Sequence, residues 1–148
     1  MNKKQLIAVY SYFISSNALN AKDVVVDAGG ALVLMGMREK TSDIDVVTTS
    51  AIFNRFKDAG YPTRIFPATG THAAVEVVAA TDLIDLHLHT SRRIHRVCTD
   101  GVWHESAEDV LAFKLSLNRP KDQNDIAALK YYVSSKLGDD ISIPEELV

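Results

Sequence analysis

An Asp-Ile-Asp-Val alternation that begins at Asp43 constrains the fold of this 148-residue chain more than any other feature. Side chains alternate between the two faces of a β-strand, so Asp43 and Asp45 share one face and the aliphatic residues share the other. One face of this strand is therefore suited to a hydrophobic core, and the other carries paired carboxylates. The pattern predicts a strand over Asp43–Thr48.

The segments around this strand carry their own helix and strand signals. Five apolar side chains near the N-terminus fall on one helical face: Leu6, Ile7, Tyr10, Phe13 and Ile14. Lys3 and Lys4 precede them as in a signal peptide, but we interpret the run as an amphipathic helix that packs on the core. Further strands are predicted at Asp23–Asp27, Thr63–Phe66, Ala73–Ala79, Leu83–His89 and around Val97, with Gly70 in a turn. Further helices are predicted at Ala31–Met37, Ser50–Ala59, Ala107–Asn118 and Asp122–Leu137, and Gly138 ends the last of them.

This order of elements predicts an α+β fold, a mixed β-sheet with helices packed mainly on one face. We expect a single domain over residues 1–138 and a loosely held C-terminal tail over 139–148. The single cysteine, Cys98, excludes an internal disulfide and favours a reducing compartment, so we expect a cytoplasmic protein. No apolar run approaches the length of a membrane span, and the net charge of −3 gives no overall basic character.

The paired aspartates fit a metal site, and the alternative interpretation is a pair of solvated residues on an edge strand. Two carboxylates on one strand face repel each other in a partly buried site, and a divalent cation between them removes that repulsion. Oxygen ligands select hard ions, so the expected metal is Mg²⁺ or Mn²⁺. Asp85 lies in a second alternating strand and is the expected third ligand of a two-metal phosphoryl-transfer site. Asp82 competes for that role, but it precedes the alternation.

The glycine pair Gly29-Gly30 lies between a strand and a helix, where free backbone N–H groups can meet an anion. Neither residue has a Cβ to keep a phosphate away from the backbone. The sequence therefore predicts a triphosphate site next to the metal site. An ordinary tight turn is the alternative interpretation.

Two blocks of sequence together carry a family resemblance. The first contains Gly29-Gly30-Ala31-Leu32, Gly36, Arg38, Thr41 and Asp43-Ile44-Asp45-Val46, and the second contains residues 108–114, Arg119, Lys121-Asp122 and Asp125-Ile126. In this order they resemble the signature of DNA polymerase beta-like nucleotidyltransferases, closest to the small bacterial and phage branch that includes AbiEii-type toxins. The resemblance covers Val24–Val47 and Glu108–Leu129, with the middle matched through Asp85. The chain departs from it by having Gly-Gly where many members have Gly-Ser.

The resemblance implies that Asp43 and Asp45 bind two Mg²⁺ ions. Asp85 then binds one metal and helps to deprotonate the acceptor hydroxyl. The implied NTP-binding set is Gly29, Gly30, Arg38, Thr41 and Lys114. Lys114 also interrupts the apolar face of its predicted helix, and this pattern alone favours a side chain that packs its stem and extends its head to water. The resemblance includes a lysine at this place and implies phosphate binding instead.

The activity implied is transfer of a nucleoside monophosphate from an NTP to an acceptor hydroxyl, with release of pyrophosphate. The acceptor is a tRNA end, a small molecule or a protein side chain, and a tRNA acceptor would make a neutralising protein partner plausible. An inactive nucleotide- or partner-binding module of the same fold is the alternative. A dinucleotide-binding Rossmann domain fails on glycine spacing.

Two other polar groups have open interpretations. His87 and His89 share a strand face, but no third ligand with convincing spacing supports zinc. A basic cluster contains Arg92, Arg93, His95 and Arg96, and it suits either phosphate binding or a solvated charged surface.

Overall fold

A computed structural model describes residues 1–68, 73–88 and 94–135, together with the backbone of residues 144 and 145. The helices are α1 (Lys3–Ser16), α2 (Ala28–Leu34), α3 (Ser50–Asp58), α4 (Ala107–Leu117) and α5 (Gln123–Ser135). The strands are β1 (Val24–Asp27), β2 (Ile44–Thr48), β3 (Thr63–Phe66), β4 (Val75–Ala79), β5 (Ile84–His87), β6 (Ile94–Thr99), β7 (Val102–Glu105) and β8 (Pro144–Glu145). The predictions for Gly70, His89, Arg92, Arg93 and Gly138 lie outside the described residues.

The strands form one mixed sheet in the order β3-β4-β5-β2-β1-β7-β6-β8. β2 pairs parallel with β5 and β1 pairs parallel with β7, whereas the other neighbours are antiparallel. The predicted α+β fold with a mixed sheet is therefore confirmed. The short β8 pairs with β6, so part of the segment predicted as a loose tail extends the sheet edge.

The main core lies on one face of the central strands. α1 contributes the buried side chains of Leu6, Tyr10 and Phe13, and these pack with alternate residues of the strands, such as Val26 and Val46. α3 packs its aromatic side chains into the same cluster. These strands turn one set of alternate residues towards α1 and α3 and the intervening residues towards the opposite face, where Val25 and Val47 pack with Ile94 in a small buried cluster.

A second, smaller core joins the last two helices to α2. Ala31 and Leu32 on α2 pack against Ala107 and Val110 on α4 and against Leu129 on α5. α2 is thus packed from both sides, against the main core and against the α4–α5 pair. This double packing fixes the two C-terminal helices beside the end of β1, where the candidate site lies.

Two local predictions need correction. Helix α2 begins at Ala28 and ends at Leu34, earlier than the predicted Ala31–Met37, because Asp27 caps it by accepting a hydrogen bond from the Ala28 N–H at 2.6 Å. Strand β7 is absent from the sequence prediction. It forms a hairpin with β6 through Asp100 and Gly101, which both have positive φ, at 51° and 81°.

Within the described part of the chain, no helix combines the length and the apolar character needed to cross a membrane.

Candidate active site

Three neighbouring strands place aspartates in a row on the sheet face opposite the main core. Asp27 in β1 is in register with Asp45 in β2, and Asp45 is in register with Asp85 in β5. Asp43 lies immediately before β2. Carboxylate oxygens of Asp43, Asp45 and Asp85 all lie within 4.8 Å of one another, so the structure brings together the three aspartates singled out in the sequence. Asp82 is exposed in the bend before β5 and is outside this group.

Asp27 is a fourth carboxylate that the sequence analysis missed. It is 3% exposed, and one of its oxygens lies 3.7 Å from Nε2 of His87. Its position at the end of a valine strand was visible in the sequence, but its place opposite Asp45 depends on the antiparallel register of β1 and β2. Register between distant strands cannot be derived from either strand alone.

The cluster is electrostatically strained without a cation. Burial raises the pKa of Asp45 to about 7, and the neighbouring charges of Asp43, Asp27 and Asp85 contribute to this rise in that order. The guanidinium of Arg64 acts in the opposite direction but does not offset these effects. A divalent cation would relieve this repulsion, and the all-oxygen ligand set suits a hard ion such as Mg²⁺ or Mn²⁺. The residues present therefore fit the metal that the sequence predicts.

The two glycines at the start of α2 have different surroundings. A Cβ on Gly29 would lie 2.5 Å from Nη1 of Arg38, at the flexible end of a side chain. A Cβ on Gly30 would lie 2.7 Å from Cγ1 of Val26, inside the main core. Gly29 therefore keeps room for Arg38 in the cleft beside the carboxylates, whereas Gly30 allows α2 to pack closely against β1.

This difference predicts opposite effects of two alanine substitutions. Gly30→Ala should lower the free energy of unfolding by about 1–3 kcal/mol, because the buried Val26 has little freedom to move. Gly29→Ala should leave stability nearly unchanged but displace Arg38 and weaken the NTP binding that the sequence predicts. Urea unfolding and calorimetric NTP titration of both variants would check this. A Gly29→Ala protein that binds NTP normally would remove Gly29 and the nearby position of Arg38 from the binding site.

A cleft of about 350 Å³ adjoins the carboxylates. Its lining includes Asp43 and Asp45 together with Gly29 and Thr41, and it contains five cationic side chains: Arg38, Lys40, Lys114, Arg119 and Lys121. The Thr41 hydroxyl donates a hydrogen bond to the Asp43 carbonyl oxygen at 3.0 Å. Thr41 therefore holds the backbone next to a candidate metal ligand, and its hydroxyl lies at the cleft.

An ion-pair network lines the far wall of the cleft. Lys114 is buried, with Nζ 3.4 Å from a carboxylate oxygen of Asp122 and 3.2 Å from one of Asp125. Arg119 binds Asp122 through two nitrogens, at 2.7 and 3.0 Å, and Arg38 binds Asp125 at 2.7 Å. The Arg119 hydrogen bonds lower the pKa of Asp122 to about 2. The alternative of a Lys114 head extended to water is wrong, because its ammonium lies between two carboxylates.

Two further cations in the cleft have a different environment. Lys40 and Lys121 are exposed and make no ion pair with the described residues. They are available to an anion without displacing a carboxylate. Neither lysine was predicted as part of the NTP site, although Lys121 belongs to the second block of the family resemblance.

Three other residues, His95 and Cys98 in β6 and Trp103 in β7, lie apart from this cleft. The backbone and ring nitrogens of His95 bind Asp109 at the start of α4, so His95 connects β6 to that helix. Trp103 lies in β7 with Nζ of Lys22 5.2 Å from its ring centre. Cys98 is an exposed free cysteine in β6.

An open mixed sheet that places an aspartate cluster beside a cation-lined cleft defines the class expected from the sequence resemblance, a nucleotidyltransferase-like domain. A family model described as "nucleotidyltransferase of unknown function (DUF6036)" matches residues 4–138. The chain belongs to this family. No curated protein and no solved structure matches it.

Proposed function

We propose that this protein transfers a nucleoside monophosphate from an NTP to an acceptor hydroxyl and releases pyrophosphate. One observation carries the proposal: the register of β2 with β5 places Asp45 opposite Asp85, within reach of Asp43, at the mouth of a cation-lined cleft. Metal ligands and phosphate-binding cations are the two components that phosphoryl transfer requires side by side. Membership of a nucleotidyltransferase family supports the same reaction.

The carboxylates and the cleft have separate roles in this reaction. Asp43, Asp45 and Asp85 would hold Mg²⁺ or Mn²⁺, which supplies charge neutralisation at the reacting phosphate. Asp85 accepts the proton of the acceptor hydroxyl as its oxygen attacks the α-phosphate. Lys114 and Arg38 bind the β- and γ-phosphates, and Gly29 lines the same cleft. The bond to the β-phosphate breaks, and pyrophosphate leaves through the cleft.

In the NTP-bound state, Asp125 and the triphosphate must share the positive charges of Lys114 and Arg38. Both bind Asp125 in the free protein, so a triphosphate competes with this carboxylate. Lys40 and Lys121 carry no such competition and are proposed as additional phosphate ligands. The arrangement gives the cleft a strong positive field only when the carboxylates are moved or neutralised.

The acceptor is a tRNA end, a small molecule or a protein side chain. A tRNA acceptor would be consistent with a toxic activity and a neutralising protein partner. We place the reaction in the cytoplasm, where NTP and Mg²⁺ are both available and a free thiol such as Cys98 persists.

Label transfer tests the proposal directly. The protein is incubated with each α-³²P-labelled NTP, Mg²⁺, and total RNA, protein extract or small-molecule extract as acceptor. Label in an acceptor fraction, lost in Asp43→Asn, is the expected result. NTP binding without label transfer and without pyrophosphate release in any fraction would instead favour the inactive binding module of the same fold.

Metal and nucleotide are expected to stabilise the protein cooperatively. The carboxylate cluster and the cation-lined cleft share Asp43 and Asp45. The opposite charges of Mg²⁺ and NTP therefore lie side by side, so each ligand should bind more tightly when the other is bound. Ligands that bind the folded state alone raise its melting temperature by mass action. Mg²⁺ plus NTP should therefore shift the melting temperature by more than the sum of the separate shifts. Strictly additive shifts in differential scanning fluorimetry would show that the metal site and the NTP site are not contiguous.

A further inference from the structure

The third carboxylate of the cluster is held by an arginine from another strand. Nη2 of Arg64 lies 2.7 Å from Oδ2 of Asp85, whereas Nη1 lies 3.4 Å from Oδ1. The first contact is a strong charge-assisted hydrogen bond and the second is at the outer limit of one. Oδ2 therefore accepts the guanidinium hydrogen bond with one lone pair and keeps a second lone pair for a proton, and Oδ1 keeps its capacity to bind another partner.

The sheet gives Arg64 a direct route to this carboxylate. Arg64 in β3 is in register with Val77 in β4, and Asp85 in β5 is in register with Ala79, two residues along the same face of β4. The arginine side chain thus crosses β4 diagonally, over a strand that presents small or apolar side chains there. Its partner Asp85 is 13% exposed, although Arg64 itself is 56% exposed.

We propose that Arg64 is a positioning residue for metal binding: it fixes the Asp85 carboxylate so that Oδ1 joins the oxygens of Asp43 and Asp45 around one cation. This role rests on the metal site in the proposed function. Carboxylates that ligate metals are commonly oriented by hydrogen bonds from a second residue, and loss of such a partner weakens metal binding or activity by about 10- to 100-fold. Arg64 does not line the cleft, so its effect is on the metal and not on NTP.

A purely electrostatic role makes the opposite prediction. A fixed positive charge near a cation site repels the cation, so its removal should tighten metal binding and Arg64→Lys should leave it unchanged. Positioning through the planar guanidinium predicts that both Arg64→Ala and Arg64→Lys weaken metal binding, because an ammonium cannot reproduce the two-nitrogen contact. The sign of the change in affinity therefore decides between the two roles.

The test is calorimetric titration of the nucleotide-free protein with Mn²⁺. Arg64→Ala should weaken Mn²⁺ binding about 10-fold and Arg64→Lys by less, with melting temperatures unchanged. In the Asp85→Asn background, Arg64→Ala should change the affinity less than about twofold, since coupled residues are non-additive. Arg55→Ala is the matched control, because Arg55 is an exposed arginine that binds the Asn17 carbonyl oxygen on the other side of the core.

Tighter Mn²⁺ binding in Arg64→Ala, or the same affinity as wild type in both Arg64 variants, would overturn the proposal. These results would leave the proposed function intact. A wild-type protein that binds no Mn²⁺, or one whose affinity is unaffected by Asp43→Asn, would instead remove the metal site and the proposed function with it.

Discussion

Asp45→Asn is expected to abolish nucleotidyl transfer and, in the metal-free protein, to raise stability at pH 8. Asp45 is the central carboxylate of the row, with Asp27 on one side and Asp85 on the other. An amide at this place removes a charge from the metal site while keeping the shape of the side chain. Metal assistance contributes several kcal/mol to such reactions, so the rate should fall about a thousandfold or more.

The stability change should depend on pH in a defined direction. The folded-state pKa of Asp45 is about 7, above its ordinary value of 3.8, so the folded state binds its proton more tightly than the unfolded state. The contribution of the protonated Asp45 carboxyl to the free energy of unfolding is therefore fully present below pH 3.8 and is lost as the pH rises through 7. The asparagine side chain of the variant cannot ionise and avoids this loss. The variant should therefore match the wild type near pH 4 and exceed it at pH 8 by on the order of 2–4 kcal/mol.

Urea unfolding in EDTA between pH 4 and pH 8 measures this difference. Asp82→Asn is the matched control, because Asp82 is an exposed aspartate in the bend before the strand that carries Asp85 and lies outside the cluster. It should show neither the activity loss nor the pH-dependent gain. Parallel stability profiles for wild type and Asp45→Asn would show that Asp45 ionises normally in the folded protein, and near-normal turnover would remove it from the active site.

The sequence predicted the elements whose signals are local. The helical face from Leu6 to Ile14 and the alternation in β2 and β5 each depend on residues close in the chain, and the structure contains all three elements. The start of α2 was misplaced because glycine is a poor helix former. In the folded protein the Asp27 cap and the close packing of Gly30 on Val26 outweigh that low propensity.

The hairpin of β6 and β7 was missed for a different reason. Asp100-Gly101 is a strong two-residue hairpin signal. However, β7 is short, and its polar residues His104 and Glu105 interrupt the apolar pattern that predicts a buried strand. Both side chains are buried, and the His104 Nε2 lies 2.7 Å from the hydroxyl of Thr99 across the hairpin. Apolar periodicity therefore underestimates strands whose inward residues are hydrogen-bonded polar groups.

The site was predictable as far as residue types and strand faces determine it. Asp43, Asp45 and Asp85 follow from alternation and resemblance, whereas their contact with Asp27 and Arg64 depends on which strands are neighbours and in what register. The partners of Lys114 were equally inaccessible. Asp122 and Asp125 reach it because a short helical turn at Pro120–Asp122 leads directly into α5 and folds that helix back on α4.

Lys114 links the stability of the protein to the charge of the cleft. Its side chain is 8% exposed and its ammonium contacts both Asp122 and Asp125. If the lysine is removed, Asp122 remains in an ion pair with Arg119, and Asp125 remains in one with Arg38. The loss of stability should therefore be smaller than for a buried carboxylate left with no partner, which costs about 3–5 kcal/mol.

Lys114→Met is expected to lower the free energy of unfolding by about 1–3 kcal/mol and kcat/KM for NTP by about 10- to 100-fold. Methionine keeps most of the apolar stem, so the change isolates the ammonium and its contacts with the carboxylates and the triphosphate. Steady-state kinetics over a range of NTP concentrations, together with urea unfolding, would measure both effects.

Two matched lysines separate the two effects. Lys121→Met, at an exposed lysine in the same cleft, should weaken NTP binding without loss of stability, and Lys130→Met, at an exposed lysine on α5, should change neither quantity. Lower stability with wild-type kcat/KM in Lys114→Met would make Lys114 a structural counterion of Asp122 and Asp125. Unchanged stability would contradict the ion-pair network itself, because removing a buried cation from between two carboxylates must weaken the folded state.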